Sequence, residues 1–117
     1  MKATPTAPAH RLIVLPFLRR LGARLFMPDW LAITIGHWIF AWRPLDATEL
    51  AHELAHVRQW RANGLRFIPR YVGESRRAAA AGGDRYRDNR FEVEARAAGE
   101  AAHSVRSTAA AQPVNRA

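Results

Sequence analysis

A small α+β domain is the fold class this chain predicts, and three observations carry it. Residues 31–42 are rich in Ile, Thr, Phe and Trp, which is strand composition. Residues 47–62 form a capped segment with an apolar stripe, which reads as a helix. Two further helical segments follow, at 66–81 and from 88 or 89 to about 106. The chain has 117 residues, enough for one hydrophobic core. That core is expected within 11–106, between flexible tails at 1–10 and 107–117.

In order along the chain, residues 11–26 come first. They place Leu18, Leu21 and Leu25 on one helical face and Arg19, Arg20 and Arg24 on the other, so a helix is predicted. Met27-Pro28-Asp29 breaks it. Within 31–42, Gly36-His37 suits a two-residue type II′ turn, so this stretch is read as a β-hairpin ending near Pro44. Asp46 is a good N-cap for the next helix. Glu49 completes a capping box and Asn63-Gly64 supplies the stop. Pro69 lies near the start of the following helix, where proline is tolerated, and Gly82-Gly83 ends it. Residues 84–89 read as a polar loop before the last, Ala-rich helix. The apolar runs at 12–18 and 31–42 are both too short to span a bilayer, and the N-terminus is a poor secretory signal. A cytoplasmic location is the resulting expectation.

Composition narrows the chemistry. There is no cysteine, so disulfides, thiolate zinc knuckles, Fe–S clusters and Cys nucleophiles are excluded. Any metal must be held by His and carboxylate. The helix at 47–62 contains His52-Glu53-Leu54-Ala55-His56, an HExxH sequence. Two histidines four apart project from one helical face, about 6 Å apart along the axis, and both can reach one metal. Glu53 is offset between them, placed to act as general base on a metal-activated water. Leu50, Leu54 and Val57 give the same helix a stripe that can bury it.

Zinc needs a third protein ligand and an open position. The candidates are His37, His103, Glu74, Asp84, Asp88, Glu92, Glu94 and Glu100. No histidine follows shortly after His56, which argues against the metzincin pattern. A Glu from a later helix is the alternative. Glu92 fits that role, with the small Ala95 beside it where two helices must approach closely. Glu94 points about 200° away around the helix, so only one of the two can face the metal. Glu92 also has a second reading, as the N3 residue of a capping box on Asn89. Glu94, His37, His103 and Asp88 stay open beside it.

Residues 46–59 (DATELAHELAHVRQ) resemble the LxHELxHVxQ segment of small bacterial zinc peptidases of the zincin superfamily, many of them domains of unknown function. In that family a short hairpin precedes the zinc helix. Residues 92–96 (EVEAR) are similar to the ExxAD element of gluzincin-type peptidases, which would make Glu92 the third ligand. Arg96 stands where that element has an Asp that supports a zinc-ligating His, and Asp88 or Glu49 are candidates to replace it. The resemblance covers roughly residues 30–100. It implies a minimal zincin-like fold, with the hairpin followed by the HExxH helix and two further helices. It also implies a Zn²⁺ cofactor and a peptide or protein substrate.

The expected chemistry is peptide hydrolysis, with His52, His56 and Glu92 as ligands and Glu53 moving the proton. Tyr71, Tyr86 or an Arg within 85–90 would stabilise the oxyanion. So small a chain leaves little room for a substrate cleft, and a partner chain is a candidate to complete it. The rival reading starts from charge. Eighteen cations, all but Lys2 arginine, face ten acids for a net +8. Residues 1–45 carry a net +5 and 63–90 a net +4, against −1 for 46–62 and zero for 91–117. The excess flanks the HExxH helix. It would suit a basic module that binds nucleic acid or an anionic membrane surface, with the metal as a structural staple.

Overall fold

A computed structural model describes residues 7–25 and 30–111. It is an α+β arrangement of a three-stranded sheet and four α-helices. The strands are β1 (Arg11–Val14), β2 (Ala32–Ile35) and β3 (Trp38–Ala41), in the order β1-β3-β2. The helices are α1 (Leu18–Leu25), α2 (Ala47–Asn63), α3 (Phe67–Ala80) and α4 (Arg90–Ala111), with one 3₁₀ turn at Gly64–Arg66 before α3. No described helix is long and apolar enough to cross a membrane.

The hairpin forms where the sequence predicts it. Gly36 has φ +63 and no described non-glycine residue has positive φ, which is the type II′ pattern at Gly36-His37. The segment 11–26 is corrected: its first part is a strand, not a helix. Leu12, Ile13 and Val14 pair parallel with Ile39, Phe40 and Ala41, and α1 begins only after Pro16, so the helix keeps eight residues. Helical periodicity in Leu and Arg cannot reveal this strand, because its partner lies 27 positions downstream. Phe26 and the break at Met27-Pro28-Asp29 lie outside the described residues.

The face of α1 that packs is set by glycine. Gly22 is buried against Trp30, so closely that an added Cβ would lie 2.0 Å from the indole. Trp30 also donates its Nε1–H to the carbonyl of Arg19. Leu21 and Leu25 consequently face outward.

One face of the sheet carries Ile39 onto α2, where it joins Leu54 and Val57 with Ala32, Leu45 and Leu50 around them. The N-terminus of α2 has the expected capping box. Asp46 accepts from Glu49 N at 2.8 Å, and Glu49 accepts from Asp46 N at 3.0 Å. Arg43 forks onto the same Glu49 carboxylate at 2.9 and 2.7 Å. Gly64, at φ +59, closes the far end.

α4 packs along α2 because small residues line the contact. Ala95 is fully buried, and Gly99 lies against Thr48, where a Cβ would stand 3.1 Å from the backbone oxygen. Phe67, Tyr71 and Phe91 form an aromatic cluster joining α3 to α4, and Trp60 of α2 meets Phe67 at 4.9 Å. Asn89 caps α4 by accepting from Phe91 N, and its amide donates to Tyr71 O and Ser75 Oγ of α3. α4 runs on past the predicted end near 106 to Ala111, through residues assigned to the tail.

Candidate metal centre

The helical spacing does what geometry requires of it. His52 and His56 lie one turn apart on α2, their ring centroids 5.1 Å apart and the rings at 66°. The Ala95 and Gly99 contact lets α4 approach closely enough to bring Glu92 to both. Glu92 Oε2 is 3.4 Å from His52 Nε2, and Oε1 is 3.2 Å from His56 Nε2. Four-coordinate zinc, with ligands at 2.0–2.1 Å, places neighbouring donor atoms about 3.3 Å apart. The two separations therefore match the ligand edges of a tetrahedral metal site. One donor atom from each of the three residues falls within 4.8 Å of the others.

The orphaned atom in this cluster also fits a cation. Glu92 is 4% exposed and its Oε2 has no hydrogen-bond partner among the described residues, whereas Oε1 accepts from the Tyr71 hydroxyl at 2.9 Å. A buried carboxylate oxygen left without a donor is destabilising, and a metal at this point would satisfy it. Burial works against the ionised carboxylate. The close approach of His52 and His56, the charge at His56 and the hydrogen bond from Tyr71 outweigh that and hold it well below the usual carboxylate range. Burial lowers His56 in turn, but the hydrogen bond and charge of Glu92 outweigh it, so its pKa is raised.

Gln59 decides which way His56 presents its ring. The Gln59 Nε2 donates to the Phe91 carbonyl at 2.9 Å and, at 3.3 Å, to Glu94 Oε1, which leaves Oε1 of Gln59 to accept from His56 Nδ1 at 2.8 Å. With its proton held on Nδ1, a neutral His56 keeps the Nε2 lone pair directed at Glu92 and the metal position. A buried side chain three residues after the second histidine thus supplies the support that Arg96 does not. Asp88 and Glu49 do not fill that role. Asp88 accepts from Asp84 N, and Glu49 is occupied by Arg43 and the helix cap.

The other third-ligand candidates lie elsewhere. Glu94 turns to Gln59, His37 lies tilted against Trp38 at the hairpin turn, and His103 contacts Ser107. Among the described residues, His52, His56 and Glu92 are the one group that gathers metal-binding donors. The capping-box reading of Glu92 does not hold, since Asn89 caps through Phe91 N and the Glu92 side chain points to the histidines.

Glu53 stands outside the cluster, as its offset predicts. Its Oε2 accepts from Thr34 Oγ1 of β2 at 2.7 Å, a contact between strand and helix that helical spacing cannot disclose. No protein-family profile, curated protein or solved structure matches this chain.

The cluster opens into a cleft of about 890 Å³ walled by α2, α4, α3 and β2. That is larger than a chain of this size was expected to provide. Arg85, Tyr86 and Arg96 also line it. Tyr71 is committed to Glu92. Burial and the Glu92 charge push both the Tyr71 and the Tyr86 phenols up, so both remain protonated donors.

β2 borders the cleft as an edge strand. Trp42 N donates to Leu31 O, and Ile35 and Trp38 flank the turn, so Ile33 and Phe40 form the hydrogen-bonded pair between them. The backbone groups of Ala32 and Thr34 therefore point away from β3. The Trp60 Nε1–H caps the Thr34 carbonyl at 3.0 Å.

Proposed function

We propose that the chain is a zinc-dependent peptidase of the gluzincin type, acting on an extended segment of a peptide or protein. The observation that carries this reading is the meeting of His52, His56 and Glu92 at 3.2 and 3.4 Å, with Glu53 alongside. His52 Nε2, His56 Nε2 and the Glu92 carboxylate would hold the ion. Zinc bound there supplies Lewis-acid polarisation and a lowered pKa for water.

The chain's own groups supply the rest. Glu53 accepts the proton from the attacking water and delivers it to the leaving amine. Thr34 holds one oxygen of that carboxylate and leaves the other free for the proton. The outward backbone groups of Ala32 and the N–H of Thr34 pair with the substrate backbone as an added strand. The apolar walls of the cleft, among them Leu31, Ile33, Ile68 and Val72, take its side chains. Tyr86, a protonated donor on the cleft wall, stabilises the oxyanion.

Metal analysis of the purified protein tests the site. Stoichiometric zinc in the wild type, lost in His52→Ala and Glu92→Ala, supports it, and absence of zinc from the wild type overturns it. Turnover of an unstructured protein substrate by the zinc-loaded wild type separates a peptidase from a structural zinc staple.

A further inference from the structure

The sequence places most of its positive charge away from the zinc cluster, and α1 shows what part of that charge accompanies. Because Gly22 packs against Trp30, the apolar stripe of α1 is turned outward. Phe17, Leu21 and Leu25 are 71%, 49% and 66% exposed. Leu21 and Leu25, four apart, share one side of α1, and Phe17 stands exposed just before its first residue. Arg20 and Arg24 flank that side and form no ion pair among the described residues. Arg19 is instead stacked over the Trp42 ring at 4.8 Å. Asp29 is the one acid in residues 1–45.

Among the described residues, a solvent-facing stripe of one Phe and two Leu adds nothing to the core, and it favours aggregation in water. Arginine flanks alone would suit any polyanion. Apolar side chains on the same surface narrow the choice, because a phosphodiester backbone offers them nothing, whereas an anionic bilayer offers headgroup charge and an acyl layer beneath.

We propose that α1 is a membrane-docking element that lies on an anionic lipid surface, with Phe17, Leu21 and Leu25 inserted and Arg20 and Arg24 on the headgroups. This does not rest on the zinc reading. It adds a location to the domain, since the cleft would then work at a membrane surface.

The test is co-sedimentation of the full chain with vesicles at physiological salt. One set contains equal parts phosphatidylglycerol and phosphatidylcholine, the other phosphatidylcholine alone. The wild type should bind the first and not the second. Arg20→Glu with Arg24→Glu should weaken binding at least about tenfold. Phe17→Ser with Leu25→Ser, at unchanged charge, should weaken it by about tenfold or more. His52→Ala should bind like the wild type, which separates this proposal from the zinc site.

Each variant is checked by circular dichroism. Phe17→Ser alone, outside α1, replaces the double variant where the helix does not form. Equal binding to both vesicle types overturns the proposal, as does full binding by the Ser variant. A wild-type dimer that Phe17→Ser with Leu25→Ser converts to monomer assigns the stripe to a second copy and also overturns it. So does binding to duplex DNA that is lost with the Arg changes and retained with the Ser changes.

Discussion

His56 donates its Nδ1–H to Gln59 one turn further along the same helix, at 2.8 Å, and both side chains are buried. Gln59 is itself held by the Phe91 carbonyl, on the helix that carries Glu92. A single amide therefore sets the ring orientation of one candidate ligand by reference to the backbone beside another.

Gln59→Leu should lower zinc affinity by about 10–100-fold, as loss of an outer-shell partner commonly does. It should also leave the Phe91 carbonyl short of a donor. Gln59→Glu keeps an acceptor for His56 and should retain more of the affinity. Competition against a chromophoric chelator measures both. Equal affinity in wild type and Gln59→Leu would show that the amide does not orient the ligand.

Glu53→Gln should leave bound zinc and the melting temperature near wild type while turnover falls by about 10²–10⁴-fold. Thr34→Val removes only the hydrogen bond at 2.7 Å, so it should lower kcat by a smaller factor and leave the zinc content alone. Zinc content and steady-state kinetics on the same preparations check the pair.

The metal-free protein should be most stable in mild acid. Glu92 is held below its ordinary 4.5, so its contribution is complete above 4.5 and is lost as pH falls through the lower folded value. His56 is raised above 6.5, so its contribution is complete below 6.5 and is lost as pH rises through the higher folded value. Both are present between those ordinary values. Thermal melts in the presence of EDTA should therefore peak there. Added zinc competes with the proton at His56 and should extend the maximum to neutral pH. A metal-free optimum above pH 7 would contradict the ion pairing.

Gly22→Ala should destabilise the fold by about 1–3 kcal/mol, the usual penalty for overpacking. Its Cβ would stand 2.0 Å from the Trp30 ring, so the indole must shift and strain its bond to Arg19 O. Urea unfolding followed by tryptophan fluorescence reads the change. A wild-type midpoint would mean that the Trp30 seat is loose.

The parts of this molecule written in local pattern were legible without coordinates. The Asp46–Glu49 box, the stop at Gly64, the turn at Gly36 and the shared face of His52 and His56 each depend on residues within a few positions. Glu92 was legible as one of several candidates, because its helical phase and the small Ala95 beside it mark a close contact. What stayed hidden depends on distant partners. β1 exists because β3 accepts it, and Leu–Arg periodicity in 11–26 suggested a helix in its place. The Thr34–Glu53 and Gln59–Phe91 bonds join elements whose relative placement no short window contains. Capping of α4 through Phe91 N freed the Glu92 side chain from the helix end, and that choice between two donors is made by geometry alone.

The indole of Trp60 on the Thr34 carbonyl has one more consequence, for the protein in a crowded solution. An edge strand next to apolar walls is a template on which identical chains can add in register and grow into fibrils. With the Thr34 acceptor already taken, an incoming strand cannot complete a continuous ladder along β2 unless it displaces the ring, which is also packed against Phe67. Trp60→Phe keeps that packing and uncaps the edge. It should leave the fold intact and shorten the lag before aggregation, a change that light scattering at constant protein concentration would register.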